Sequence, residues 1–318
     1  ICIGFYFLRS AKSSNGFSVA GRTLGPFVIL CTVCASIIGG SALIGRGGYA
    51  YSGGMLAIAI ALPYMVGMFI FSGFCGRISK IGTKYGVTSI PDLMELRFGK
   101  AAKLLSGLMI AYSMAATVGS QISATATVFS VIGGSFGITY IAGAVIATII
   151  FCVYTTSSGL FGVVYTDVVQ FIILILFVYI LLPILSVGKV GGLSALIAQT
   201  PPEKWRLALD TNTITLIFTN LVMTIAGAEF WQRAFAAKDA RTALKGQFGG
   251  TAVYALTIFV TLFLGLSAAL LFPNLVSEYG KADYAIPVMV ATILPAGLTG
   301  LTFAGLLSVM MSSADTCI

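Results

Sequence analysis

Segments of roughly twenty or more mainly apolar residues follow one another along almost the whole chain, and one such segment is what a helix needs to cross a bilayer. By that measure, spans fall near residues 24–53, 54–76, 104–132, 137–156, 159–186, 211–232, 248–272 and 284–318, with residues 1–8 reading as the tail of another. In hydrocarbon the backbone must satisfy its own polar groups, so segments like these fold as helices packed on one another. Composition agrees: 58% of the 318 residues are hydrophobic and 9% charged, which excludes an ordinary soluble domain. The expected class is an all-α polytopic membrane protein. The chain begins at Ile1 rather than Met and stops at Ile318 within an apolar run, so it reads as incomplete at both ends.

Charge sets the orientation. If the linker 9–23 is cytoplasmic, thirteen of the eighteen Lys and Arg residues fall on cytoplasmic segments, as the positive-inside rule requires. The net charge of +8 then reports topology and attraction to the anionic lipid of the bilayer, not nucleic acid. With no histidine in the chain, an imidazole proton relay or histidine metal site is excluded. Cys31 and Cys34 form a C-x-x-C on an apolar helix without a second pair, and read as small buried hydrophobes rather than a redox or zinc site. No phosphate-cradling loop or catalytic constellation is present, so neither ATP-driven pumping nor an enzyme is expected.

Three connecting segments are long. In 77–103, Ser89 followed by Ile90, Pro91 and Asp92 predicts a capped amphipathic helix. Residues 187–210, with Pro201, Pro202 and Trp205, predict an external loop touching the membrane interface, and 233–247 predict a third loop.

Within the spans, breakers concentrate at Cys34–Tyr49, where Gly39 and Gly40 adjoin near mid-depth and Gly45, Gly47 and Gly48 follow. Each glycine lowers helix propensity by about 1 kcal/mol relative to alanine. Unwinding there frees carbonyls such as those of Ala35 and Ile38, which is tolerable only where they line a cavity or bind an ion. The competing reading is a tightly packed glycine seam. A second candidate break lies at 224–231. Near the end of the chain, Ser312 and Ser313 set two hydroxyls in an otherwise apolar helix, and hydroxyl and carbonyl oxygens are what a hard cation such as sodium prefers.

Three acids fall at or near membrane depth, where an ionisable group is a functional hypothesis by default. Asp167 stands near one end of span 159–186, within reach of a cation held below mid-depth; the alternative is a helix-start acid facing water. Glu229 is either an i,i+4 partner of Arg233 or a substrate or gate contact. Asp315 shares a helix face with Ser312, three residues back, which suits the inner mouth of an ion path.

These residues together resemble the sodium/solute symporter family. The matching stretches are Phe17–Pro26 (FSVAGRTLGP), Ala35–Gly54, Val153–Gln170 (VYTTSSGLFGVVYTDVVQ), Gln232–Asp239 (QRAFAAKD) and Met311–Asp315 (MSSAD), in family order over nearly the whole chain. The resemblance implies a 5+5 inverted-repeat transporter fold whose first and sixth core helices are broken. Residues 1–23 would be a helix tail and cytoplasmic linker, 24–186 the first five-helix repeat, 187–210 an extracellular loop and 211–318 a second repeat cut after its third helix. It implies sodium bridging the first and eighth core helices, held by the carbonyls of Ala35, Ile38 and Val309 and the hydroxyls of Ser312 and Ser313, with Asp167 near the ion's exit path. The helical spacings 35/38 and 309/312/313 agree with that set. It places a small organic solute beside the unwound segments, near Ser36, Gly39, Gly40, Ser41, Asn220 and Thr224. Ile37 departs from the pattern, since several relatives carry a polar residue there.

The function this implies is sodium-coupled symport across the plasma membrane by alternating access, with sodium as transported ion and no organic cofactor. A transporter-like solute sensor coupled to a cytoplasmic signalling domain is the alternative.

Overall fold

Breaks in the helices matter more to this molecule than the helices themselves. The computed structural model describes residues 20–207 and 209–317, apart from the side chains at 21, 135 and 154–162. The expected helix tail at 1–8, the linker as far as residue 19, and the side chains of 154–162 within the VYTTSSGLFG stretch therefore lie outside the described residues. Among those described the architecture is helical; an isolated parallel bridge pairs Leu24 with Ala237.

The first span is broken. Helix α1 (Pro26–Ile37) begins with proline in its first turn, where the missing N–H costs nothing. It stops at Ile38 (φ −85°, ψ 55°), and after Gly39 and Gly40 a π-turn over Ser41–Gly45 leads into α2 (Arg46–Gly53), the two halves meeting at 61°. Helix α3 (Leu56–Tyr85) returns across the bundle and ends on Gly86 in the left-handed conformation. The amphipathic α4 (Ile90–Phe98) forms where its cap predicts: the Ser89 hydroxyl accepts from the Asp92 amide at 3.3 Å, and the Asp92 carboxylate reaches back to the Thr88 amide at 3.3 Å. Helices α5 (Lys100–Ile132) and α6 (Tyr140–Leu174) follow. Helix α6 runs unbroken across the point where the sequence reading separates spans 137–156 and 159–186, because no proline lies between 140 and 182 to end it. A π-turn at Ile175–Leu181 joins it to α7 (Leu182–Val190).

After the short α8 (Leu193–Gln199), α9 (Thr211–Ala226) and α10 (Ala228–Ala236) form a second interrupted span, divided at Gly227 within the stretch expected to break. The loop expected at 233–247 shrinks to Ala237–Asp239, because Asp239 caps α11 (Ala240–Leu271) by accepting from the Thr242 amide at 2.7 Å. The span expected at 284–318 is two helices beyond the short α12 (Leu275–Tyr279): α13 (Ala285–Ile293) and α14 (Ala296–Cys317), separated at Leu294–Pro295. Proline disfavours the helical conformation in the residue before it, which ends α13 there. Trp205 packs on a satellite core with Ala50, Ala57 and Leu262, and the Lys204 carbonyl beside it accepts from the Met55 amide at 2.8 Å. Six described helices are long and apolar enough to cross a membrane, seven when the bent pair counts as one span.

Helix α11 splints the broken span. A Cβ added to Gly246 or Gly250 would lie 2.6 or 2.7 Å from the side chains of Ile29 and Val33 on α1, while one added to Gly265 would lie 2.3 Å from the Ala50 Cβ on α2. One continuous helix therefore holds both halves at backbone contact. The opposite side of α1 packs against α6 and α14, so α1 is buried nearly all round.

Candidate cation site at the helix break

At the end of α1 the last regular bond is Ile38 N–H to the Cys34 carbonyl, 2.9 Å. The next turn would close with the Gly40 amide donating to Ser36, but that amide donates instead to Gln121 Oε1 on α5 at 2.6 Å. The freed carbonyls are met from α14: the Ser313 hydroxyl lies 3.2 Å from the Ala35 carbonyl oxygen and 3.0 Å from that of Ser36. A Cβ on Gly39 would fall 2.4 Å from Ser313 Oγ, and one on Gly40 2.3 Å from the Ala124 Cβ, so both positions need glycine for α5 and α14 to come this close. A hard cation that holds its oxygens at about 2.4 Å sets neighbouring ligands about 3.4 Å apart at right angles. The observed oxygen separations approach that spacing.

One turn from this cluster, Asp167 on α6 is fully buried and accepts from two hydroxyls, Ser312 of α14 through Oδ1 and Thr32 of α1 through Oδ2. The Thr32 hydroxyl in turn accepts from Arg233 Nε at 3.3 Å. Arg233, 1% exposed, comes from α10 and also donates to Ser36 Oγ, to Thr316 Oγ1 at 2.9 Å and to the Glu229 carbonyl at 2.9 Å. Carboxylate, hydroxyl and guanidinium thus form a relay across four helices. Burial makes each member expensive to leave unmatched, and the relay spreads the compensation over hydroxyls.

The residues expected from sequence fall into separate groups. Ala35, Ser312, Ser313 and Asp167 converge between α1, α6 and α14; Ile38 lies at the break, and Val309 is buried one turn earlier on α14. Ser36 belongs to the arginine cluster, and Gly39 is wedged against Ser313. Gly40 and Ser41 line a cavity of about 420 Å³ on the α2 side of the break, with Ser120, Ser123 and Thr127 of α5 and Asp283 opposite. Asn220 and Thr224 are not brought to that cavity. Asn220 Nδ2 donates to the Leu216 carbonyl at 2.8 Å, and Thr224 is packed on Gly67 of α3 with its hydroxyl on the Asn220 and Tyr64 carbonyls. Glu229 makes no i,i+4 ion pair: Arg233 takes its backbone carbonyl, and Glu229 Oε2 is buried without a hydrogen-bond partner. Asp315 is buried on the same helix as Ser312, three residues further on.

Thr32, Gln121, Arg233 and Thr316 escaped the sequence reading. A signal existed for three of them: Thr32 and Ser36 on α1, and Ser312 and Thr316 on α14, are hydroxyl pairs one turn apart on apolar helices, and Arg233 is a cation at the end of a span that calls for partners. Gln121 carried no such mark. Among the described residues no group of three or more His, Cys, Asp or Glu side chains could hold a metal ion; the groups that meet at the break are hydroxyl and carbonyl oxygens beside one carboxylate, the donor type a hard cation prefers.

A bundle built on a broken helix, with freed carbonyls capped from a second helix and a polar cavity beside the break, fits the inverted-repeat fold of membrane transporters. Solved structures agree on the fold: a sodium-coupled sialic acid symporter in a substrate-bound outward-open state (TM-score 0.81, 18% identity, covering 99% of this chain and 68% of that one), and MHP1, a nucleobase-cation-symport-1 family transporter (TM-score 0.64, 15% identity, 95% and 65%). The sodium:solute symporter family model matches residues 17–318, and the chain belongs to that family. Among curated relatives, the sodium/myo-inositol cotransporter 2 of Rattus norvegicus is 26% identical over 94% of this chain and 50% of its own length. The sodium/proline symporter of Escherichia coli K12 is 33% identical over 60% of this chain and 38% of its own. The chain thus spans about half the length, or less, of these two curated relatives.

Proposed function

We propose that this chain forms the sodium-binding core of a plasma-membrane symporter that couples inward sodium movement to uptake of a small polar organic solute. The observation that carries the reading is the meeting of the Ser313 hydroxyl with the carbonyls of Ala35 and Ser36 where α1 unwinds. In this reading sodium is cargo. It takes the oxygens of Ala35, Ile38, Val309, Ser312 and Ser313, with Asp167 one step further along its path. The repeats divide as 24–186 and 211 onward, so α1 and α14 belong to different repeats and move relative to one another in alternating access.

Coupling follows from differential binding. An ion that bridges α1 and α14 stabilises only those states in which the two helices are apposed, and with them the wall of the solute cavity that α1 and α2 supply. Each charge carried inward at 100 mV adds about 2.3 kcal/mol of driving force. On the side of the break away from the cavity, Arg233 ties α10 to α1 and α14, and we assign it the inner closing contact. The cavity suits a hydroxyl- or ammonium-bearing solute, since serine and threonine hydroxyls and the Asp283 carboxylate line it and, among the described residues, no cation does. Relatives named for myo-inositol and for proline fall within that range.

The test is uptake of a panel of polyols, amino acids and sugar acids into proteoliposomes of the full-length protein, with an inward sodium gradient and with it collapsed. Accumulation of one compound that disappears with the gradient is expected. Saturable binding without accumulation under either condition would overturn symport.

A further inference from the structure

One end of the bundle carries a basic cavity that the transport reading leaves unused. The last turns of α3 bring Lys80 and Lys84, with Ser79 and Thr83, opposite Lys238 and Arg241 across a cavity of about 620 Å³. Among the described residues none of these four cations forms an ion pair; the pairs present are those of Lys103 with Asp92 and Glu95. The one acid in the lining, Asp239, is turned to the Thr242 amide at 2.7 Å as the cap of α11. Four like charges gathered round a cavity repel one another, and the single carboxylate of Asp239 offsets only one of them, so the arrangement calls for an anion.

The walls are fixed before any ligand arrives. Arg22 donates to the Phe235 and Val87 carbonyls, both at 2.9 Å, and the Lys238 amide donates to Leu24 at 3.3 Å. Just below the cavity α3 and α11 nearly touch, a Cβ on Gly76 falling 3.2 Å from the Ala240 carbonyl. Below that crossing, the outer faces of the two helices are apolar and open: Phe74, Leu244 and Phe248 are 48%, 43% and 54% exposed, and Gly73 has nothing within 4 Å of its Cβ position. A phosphate at the cavity would therefore have a surface for acyl chains directly beneath it, at the ends of two spans.

We propose that this cavity binds the phosphate headgroup of an anionic phospholipid. Lysine and arginine neutralise the phosphate, and the Ser79 and Thr83 hydroxyls and the positive end of the α11 dipole add donors and field. A soluble phosphate shares the headgroup chemistry but has no use for the apolar face below.

Native mass spectrometry of the full-length protein in detergent, titrated with phosphatidylglycerol, phosphatidylcholine or inorganic phosphate, tests the site. One phosphatidylglycerol is expected to be retained at concentrations at least about tenfold lower than phosphatidylcholine. That preference should vanish in the quadruple variant Lys80→Gln, Lys84→Gln, Lys238→Gln, Arg241→Gln and survive in Arg97→Gln, Lys100→Gln, Lys189→Gln, Arg206→Gln, which loses the same charge elsewhere. Equal retention by parent and quadruple variant overturns the site, and equal loss in the control set reduces it to a diffuse field. Displacement of the lipid by millimolar inorganic phosphate overturns the lipid as its occupant. Should the quadruple variant fail to fold, Lys80→Gln with Lys84→Gln alone should weaken the preference at least threefold, and an unchanged preference overturns the proposal.

Discussion

Replacing Gly39 with alanine tests the close approach of α1 and α14 on which the cation site depends. The added Cβ would lie 2.4 Å from Ser313 Oγ, 2.8 Å from Ser313 Cβ and 2.9 Å from Gln121 Nε2. Rotating Ser313 moves its hydroxyl but not its Cβ, so the overlap is relieved only if α1 and α14 separate by roughly half an ångström or more, toward ordinary contact. That displacement stretches the oxygen separations of 3.0 and 3.2 Å at the Ser36 and Ala35 carbonyls. Overpacking of this kind costs about 1–3 kcal/mol. If the cost falls on the apposed state that sodium favours, the sodium half-saturation of uptake rises roughly 5- to 150-fold. Gly119→Ala on α5 is the control, since nothing lies within 4 Å of its Cβ position. Sodium-activation curves of solute uptake in proteoliposomes supply the comparison. A Gly39→Ala curve within about twofold of the parent, with the protein folded, would refute the reasoning.

Arg233→Gln removes donors from Thr32, Ser36 and Thr316 and leaves buried hydroxyls without them, so the thermal midpoint of the purified protein should fall by the equivalent of about 3 kcal/mol, and an unchanged midpoint would show that the relay is not structural. Cys34→Ala, by contrast, gives up one 3.5 Å thiol contact to the Gly250 carbonyl and should leave sodium half-saturation within about twofold; a tenfold change would mean that α1 is seated less firmly on α11 than its glycine contacts indicate. The α4–α5 corner should be acid-sensitive. Burial pushes the Asp92 carboxyl up, but hydrogen bonds from Ser89, Lys103 and Thr88 outweigh it and hold the group below its usual range. A depressed folded value stabilises at pH above the unfolded value of about 3.9 and is lost as pH falls through the folded one. Amide exchange over 90–98, corrected for intrinsic rate, should therefore stay slow down to about pH 4 and accelerate below it, and protection independent of pH would count against the Asp92 contacts.

How much of this was legible in the sequence depended on whether the cause was local. The Gly39–Gly40 pair announced the break because low helix propensity is a property of those residues alone, and Ser89 announced its helix for the same reason. Ser312, Ser313 and Asp167 stood out because hydroxyls and acids are costly in apolar spans. Pro295 carried a readable stop signal, overridden by the uniform hydrophobicity of 284–318. The charges of 233–247 suggested a loop, whereas Arg233 is buried and Asp239 starts a helix, because tertiary partners decide where a charge belongs. Gln121 reaching the Gly40 amide is a contact between residues 81 positions apart, and no local pattern encodes it. Asn220 and Thr224 were placed near the solute by resemblance; in the structure Asn220 donates to the Leu216 carbonyl of its own helix and Thr224 to the Tyr64 carbonyl of α3, contacts that no local pattern marks.

The most direct test of the central claim is equilibrium binding of radioactive sodium to the purified full-length protein and to its Ser312→Ala, Ser313→Ala variant, with folding checked by thermal melting. The account predicts saturable binding to the parent and at least about hundredfold weaker binding to the variant, since both hydroxyls are lost and with them the hold of Ser313 on α1. Equal sodium affinity in the two folded proteins would place the ion somewhere other than the meeting of α1 and α14.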